Sequence, residues 1–280
     1  MSTFLFPSPV FGPVHSRRLG LSLGINLLPA DGKLCSFDCI YCECGLNEAH
    51  RPKTPMTSRE LVAEKLEERL KALAAQGKHI DAITFAGNGE PTLHPDFPGI
   101  IDDATRLRDV FAPSAKICVL TNAVSILKPE FAAALMRSDL PMLKLDSVDP
   151  EWIRKVNRPQ TPYNVEKMTE AMRAQGKKVV IQTMFVKGTY DGIDVDNSDD
   201  AHVLPWIDAL KRIAPGRVEI YTIDRDAPCR TLEPVPYERL CEIGETAQAA
   251  GLTVHVSKNT QANASKQRES EGRGEERLDL

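Results

Sequence analysis

The chain has 280 residues, 35 basic and 39 acidic side chains, a formal net charge of −4, and a hydrophobic fraction of 42%. These values exclude a collagen-like, low-complexity or fully disordered chain and fit one large α/β domain or two small ones. The mild acidity gives no global attraction to nucleic acid or to an anionic membrane, and leaves room only for a local basic patch.

The first 18 residues read as an irregular, Pro-rich segment. Met1 to Pro13 has no charged n-region and no long apolar h-region, so no signal peptide is expected. No apolar run approaches the ~18 residues of a membrane span, so the expectation is a cytoplasmic protein with no membrane partner. Residues 19–28 read as a first strand, with Gly20 and Gly24 marking close backbone approaches. Four of the seven cysteines follow at once, at 35, 39, 42 and 44. In a reducing compartment, clustered cysteines hold metal or do redox chemistry more often than they form disulfides.

Thr57 or Ser58 caps a helix that runs to Ala75 and stops at Gly77, with a stripe of Leu61, Lys65, Leu66, Leu70 and Leu73. Strands are expected at 80–85, 115–120, 142–145, 178–186 and 217–223, and helices at 98–110, 129–137, 163–175 and 200–213. A helix at 236–250 and a weak strand at 252–256 close the pattern. Residues 189–200 are Asp-rich but lack the Gly and Glu of a calcium loop, so they read as a solvated loop that caps the next helix. Residues 258–280 carry five basic and five acidic side chains and read as a disordered tail.

Alternating strands and helices build βαβ units and a parallel sheet. Six strands before Arg225, where eight would close a barrel, point to a partial, open (β/α)6 barrel; a doubly wound sheet is the lesser alternative. The expected division is an irregular segment at 1–18, a core at 19–225, a helix/strand extension at 226–257 and the tail.

Ligands of parallel α/β folds bind at the carboxyl ends of the strands. Each expected strand end is polar here. In chain order these ends offer the cysteines, then Gly87-Asn88-Gly89-Glu90-Pro91, then Thr121 and Asn122. Lys144 and Asp146 follow, then Gln182 and Thr183, and finally Tyr221, Asp224 and Arg225.

Cys35-x3-Cys39-x2-Cys42 can cap three corners of a cubane cluster and leave the fourth iron open. The alternative is a zinc knuckle with Cys44 as fourth thiolate, cramped for two ligand pairs. Read with the rest of the chain, this loop resembles the radical S-adenosylmethionine (SAM) superfamily. Tyr41 fills the aromatic position before the third cysteine, and the Gly87–Pro91 loop looks like the family's Gly-Gly-Glu-Pro segment. Residues 11–20, 87–95, 144–146 and 221–225 look like a branch of Fe–S oxidoreductases related to wyosine-type tRNA-modifying synthases. Archaeal wyosine synthases carry a second cluster on upstream cysteines, and here no cysteine precedes Cys35.

The resemblance implies a partial (β/α)6 barrel, a [4Fe–4S] cluster on Cys35, Cys39 and Cys42, and SAM as cofactor. A reduced cluster would split SAM to methionine and a 5′-deoxyadenosyl radical that takes hydrogen from a substrate. Glu90 would accept from the methionine ammonium; Gly87, Asn88 and Gly89 would let the backbone approach it, and Pro91 would stiffen the turn. Asn122, Asp146 and Gln182 are candidates for ribose or carboxylate contacts, or simple strand-end hydrogen bonds. Tyr41, Tyr221 and Ile223 would pack on adenine or in the core. Lys144 would pair with the methionine carboxylate, a substrate anion, or Asp146. Arg17, Arg18, Arg154, Lys155, Arg158, Arg225 and Arg230 form a basic rim or a solvated surface. Cys229 is a candidate reactive thiol or extra ligand, Cys118 a core thiol, and His15 and His94 structural.

The expected partners are a one-electron reductant such as flavodoxin or ferredoxin and an unidentified substrate, whether small molecule, RNA or protein. Rival functions are a glycyl-radical-type activating enzyme acting on a partner protein, and a non-catalytic Fe–S or zinc module, for which the Gly87–Pro91 loop has no use.

Overall fold

The computed structural model describes residues 4–16, 18–225 and 227–258. β1 (Val10–Ser16) pairs antiparallel with β2 (Gly20–Ile25). Then α1 (Arg59–Ala75), β3 (Ala82–Phe85), α2 (Phe97–Phe111), β4 (Lys116–Thr121), α3 (Pro129–Arg137) and β5 (Leu140–Lys144) alternate. A short α4 (Pro150–Trp152) runs into a π-helical turn at Ile153–Asn157, before α5 (Val165–Arg173) and β6 (Val180–Tyr190). β7 (Ile193–Asp194), α6 (Asp200–Ile213), β8 (Arg217–Thr222), β9 (Leu232–Pro234), α7 (Tyr237–Ala249) and β10 (Val254–Val256) complete the described chain.

The sheet runs β1-β2-β3-β4-β5-β6-β8-β10, parallel from β2 onward, with β7 and β9 attached antiparallel to β6. Six parallel strands before Arg225 and a seventh after it form the open, partial barrel that the alternation predicts. No pairing among the described residues joins β2 to β10, so a seam stays open between the two edges.

Strand alternation divides the side chains into two faces. Leu23, Ile25, Ile83, Phe85, Ile117 and Val119 face outward and pack under Val62, Leu66, Leu70, Phe97 and Ile100. Leu143, Ile181, Val218 and Ile220 do the same beneath Met168, Met172, Trp206, Leu240 and Ile243. Ser22, Thr84, Cys118, Met142, Lys144, Gln182, Glu219 and Tyr221 therefore line the inner face.

Local signals set the helix starts. Ser58 Oγ accepts from Leu61 N at 3.3 Å, Asn164 Oδ1 from Lys167 N at 2.8 Å, and Asp199 Oδ1 from His202 N at 2.9 Å. Gly77 adopts φ +63° just past α1, as a helix stop requires.

Several expectations are corrected. The supposed irregular start contains β1; its prolines are tolerated because an edge strand has one face that needs no donor, and a register shift between Phe11 and Val14 takes up Pro13. In α1 the stripe is Val62, Leu66, Leu70 and Leu73, whereas Leu61 is exposed, because the i, i+4, i+8, i+11 spacing back from Leu73 falls on Val62 and leaves its neighbour Leu61 off the buried face. The Asp-rich loop opens with β7 as a hairpin arm on β6, and only Asp199 acts as the cap. Residues 226–257 add β9, α7 and β10 to the same sheet. The expected tail lies outside the described residues from 259 onward. No helix among the described residues is long and apolar enough to cross a membrane.

The corrected stripe is testable by urea denaturation. Leu66→Ala is expected to cost about 3 kcal/mol, and Leu61→Ala less than about 0.5 kcal/mol.

Candidate active site

The cysteine stretch between β2 and α1 has no helix or strand of its own, so other segments must satisfy its backbone. Asp38 N donates to Asn157 O at 3.0 Å and Ile40 N to Val156 O at 3.0 Å, while Gln160 N donates to Ser36 O at 2.8 Å. Cys229 N adds a bond to Ile40 O at 3.2 Å. On the other side Leu34 N donates to Asn88 O at 2.9 Å and Glu90 N to Leu34 O at 3.1 Å. The loop is thus gripped between the π-helical turn and the acidic loop after β3.

Cys39 is buried and Cys35 and Cys42 are half-buried. Phe37 N and Asn122 Nδ2 lie 3.4 and 3.8 Å from Cys35 Sγ, and Asn157 Nδ2 lies 3.6 Å from Cys39 Sγ. Burial pushes the Cys35 thiol up and the nearby Glu90 carboxylate adds to it; burial also pushes Cys39 up, to about 11. Cys42 falls to about 6 because Cys44 hydrogen-bonds to it, with help from Lys33. Lys33 itself is buried: Nζ donates to Gly45 O at 2.7 Å and to Asp38 Oδ1 at 3.4 Å. Burial disfavours its charge, but Cys42, Cys35, Cys39 and Asp38 together overcome that cost and hold the ammonium protonated.

This donor set fits a cubane cluster: three thiols on one loop, N–H donors on two sulfurs, and a buried cation against the anionic charge. A zinc knuckle would draw its sulfurs to about 2.3 Å from one ion. Among the described residues no three His, Cys, Asp or Glu side chains converge in that way; the Cys44 thiol lies beside Cys42 and 3.5 Å from Gly87 O.

Glu90 is buried and well anchored. Oε1 accepts from Thr92 N at 3.1 Å and from the hydroxyls of Thr92 and Thr121 at 2.6 Å, whereas Oε2, among the described residues, accepts only from Asn122 N at 2.7 Å. Burial raises its pKa and these bonds oppose the rise. Gly87 (φ +153°) and Gly89 (φ +135°) are demanded by the protein itself, since a Cβ would strike Asn26 at the first and the Leu34 carbonyl at the second. Asn88 turns from the site: its Nδ2 donates to Phe6 O at 3.0 Å and Pro29 O at 2.8 Å, and its Oδ1 accepts from Phe6 N at 2.7 Å. Pro91 begins a 3-10 turn behind Glu90.

Asn122 joins the two halves. Its N–H is on Glu90, and Nδ2 reaches Ser36 Oγ at 2.8 Å and Cys35 Sγ. Asp146 is a saturated hub and not an open ribose acceptor. Oδ2 accepts from Asn157 Nδ2 at 2.8 Å and from the Tyr41 hydroxyl, and Oδ1 accepts from Met184 N at 2.9 Å. Lys144 Nζ lies 3.4 Å from Asp146 and 5.2 Å from the Tyr41 ring centroid. Its charge is favoured by Asp146 against the cost of burial. Gln182 Nε2 contacts Met142 Sδ at 3.3 Å, one layer deeper than the rim. Ile223 packs in the apolar cluster that includes Phe37, Cys39 and Tyr41. Tyr221 lies beneath the Arg18 guanidinium.

Much of the expected basic rim is already paired: Arg154 with Glu151 at 2.7 Å, Arg158 with Asp38 at 3.5 Å, and Arg225 with Glu43 at 2.7 Å. Arg17 lies outside the described residues. Cys229 Sγ meets Thr231 Oγ1 at 3.1 Å, Cys118 is a core thiol, and His94 bonds Thr57 O at 2.7 Å. Sequence reasoning missed Lys33, Ser36, Asp38 and Asn157. A lone lysine two residues before Cys35 is a usable signal; nothing in the local sequence marks Asn157.

The family model described as the Radical SAM superfamily matches residues 31–203. A UPF0026 protein of Helicobacter pylori is 30% identical over 264 residues, covering 92% of this chain and 79% of that protein. A Brachyspira hyodysenteriae protein named GTPase Obg is 32% identical over 220 residues, and the chain spans only 30% of its length. Among solved structures, TYW1 with a lysine-pyruvate adduct bound superposes with a TM-score of 0.56 at 14% identity, covering 81% of this chain and 73% of that one.

Removing the Lys33 charge is expected to make the reduced cluster less favourable. In Lys33→Met the midpoint potential should fall by on the order of 50–100 mV, read by an EPR-monitored redox titration of reconstituted protein.

Proposed function

The chain belongs to the radical SAM superfamily and groups with the UPF0026 proteins, and on that premise we propose how its residues divide the work of a SAM-cleaving enzyme. Cys35, Cys39 and Cys42 hold the [4Fe–4S] cluster. When bound, cluster and SAM together supply one-electron cleavage of the sulfonium and a hydrogen-abstracting 5′-deoxyadenosyl fragment.

The observation that carries this division is the double contact of Asn122, which touches Glu90 through its N–H and Cys35 through its side chain. An acid and a thiolate ligand are thereby held on either side of one residue, as a ligand spanning iron and carboxylate requires. Glu90 Oε1 is filled by three donors, while Oε2 keeps an acceptor site for the methionine ammonium. Gly87 and Gly89 fix the loop path, Pro91 starts the turn that carries Thr92, and Asn88 ties the loop to Phe6 and Pro29.

Asp146 orients the Tyr41 ring through its hydroxyl and holds Asn157 on Cys39. Tyr41 and Ile223 provide the apolar and aromatic surface for adenine, whereas the Tyr221 ring is covered by the Arg18 guanidinium. Lys144 and Gln182 face the inner side of the sheet, where the substrate lies. The half-buried Cys35 and Cys42 bring the loop close enough to the surface for a one-electron donor of the flavodoxin or ferredoxin kind.

The test is anaerobic reconstitution, reduction, addition of SAM and assay of 5′-deoxyadenosine. Slow uncoupled formation is expected, with none in Cys39→Ala. Glu90→Gln should raise KM for SAM by about tenfold through loss of a charged hydrogen bond. A colourless, zinc-bound protein with no cleavage overturns the reading.

A further inference from the structure

Away from the cysteines, Arg18 and Ser257 each carry a buried polar atom with no hydrogen-bond partner among the described residues, as does Arg217 Nε deeper on the same face. Arg18 precedes β2, at one edge of the parallel sheet, while Tyr221 stands on β8 near the other. The guanidinium carbon of Arg18 sits 4.7 Å from the Tyr221 ring centroid, so this side chain spans the open seam of the barrel. Its Nη1 is buried with no hydrogen-bond partner among the described residues.

Ser257 is the second group. The ladder of β10 on β8 continues one residue past the strand, with Ser257 N donating to Ile220 O at 2.9 Å, which sets Ser257 beside Tyr221. Ser257 is 6% exposed, and its Oγ is also buried without a partner. One unmet group thus lies over the Tyr221 ring, and the other is the register neighbour of Tyr221 on the adjoining strand. Leaving such groups buried and unpaired is costly, so the pair calls for an acceptor from beyond the described residues.

The surroundings favour an anion. Glu219, one layer below Tyr221, is already engaged: Oε2 lies 2.7 Å from His255 Nδ1, and Oε1 forms an ion pair 2.8 Å from Arg217 Nε, although that nitrogen lacks hydrogen-bond geometry. Burial pushes the neighbouring Cys118 thiol up to about 12, which keeps it neutral. Toward the cysteines comes Lys144, already balanced by Asp146.

We propose that Arg18 and Ser257, on either side of Tyr221, form a binding site for the carboxylate or phosphate group of a small substrate whose remainder extends along the inner face toward Lys144 and Cys39. The orienting atoms are buried, so the group they take is a terminal one; a polymer phosphate, with chain continuing on both sides, does not fit. A guanidinium fork suits either oxyanion. The direction of the substrate rests on the radical SAM reading, whereas the anion site does not.

The experiment is calorimetric titration of the iron-free full chain with inorganic phosphate and, separately, acetate. Saturable binding of at least one is expected, weakened about tenfold or more by Arg18→Gln and about threefold by Ser257→Ala. Preference for phosphate assigns a phosphate ester, and preference for acetate a carboxylate. Ser257→Asp, which supplies Arg18 with an internal acceptor at the sheet edge, is expected to abolish binding and keeps the test open if Arg18→Gln does not fold. No saturable binding of either anion up to about 50 mM, as when water alone fills the site, overturns the proposal. Unchanged affinity in folded Arg18→Gln or in Ser257→Asp also overturns it. The titration needs neither iron nor SAM, so absence of 5′-deoxyadenosine in the cleavage assay counts against the radical reading alone.

Discussion

The carbonyl of Leu34 occupies the place where a side chain of Gly89 would begin. That close approach lets Leu34 and the acidic loop exchange two backbone hydrogen bonds, one in each direction. Everything at the candidate site is measured from this clasp. It fixes the start of the cysteine loop against β3, and so fixes Cys35 relative to Glu90. The side chain of Glu90 then carries the constraint to the end of β4 through Thr121 and Asn122. An alanine at position 89 would not merely crowd a ligand; it would separate the two loops whose spacing the chemistry needs.

The second anchor works from the opposite side and stores strain. Arg158 adopts φ +49° directly before Pro159, a conformation that sterics disfavour twice over. It is held there by its carbonyl, which accepts from Asp38 N at 3.1 Å and from Gln160 Nε2 at 2.7 Å, and by its guanidinium on Asp38. The bend ends the π-helical turn where Asn157 can reach Cys39, Tyr41 and Asp146 together.

Much of this was legible in the sequence, for identifiable reasons. Ser58 and Asp199 act within three residues of themselves, so their caps can be read locally, whereas the Asn164 cap is hidden by a helix expected from 163. The cysteine spacing and the Gly87–Pro91 loop carry their chemistry on adjacent residues. The failures share the opposite character. β1 is a strand only because β2 is its partner, and β9 only because β6 is. The structural work of the Asn88 side chain was hidden because its amide partners, Phe6 and Pro29, lie far away in the chain. Asp146 looked open because Tyr41 and Asn157, which fill it, are remote in sequence. Asn157 lies in an irregular turn with no periodicity to announce it.

The grip on the cysteine stretch has a thermodynamic corollary. Its backbone partners come from Asn88, the turn ending at Asn157 and the segment at Cys229, which span much of the chain. A ligand that binds three thiols held in this way binds the folded state and scarcely the unfolded one, so its affinity adds to the free energy of folding. On the proposed ligation the cluster is a keystone as well as a reagent: its loss would remove an electron carrier and weaken the bonds of the cysteine stretch to Asn88, Asn157 and Cys229 in the same event.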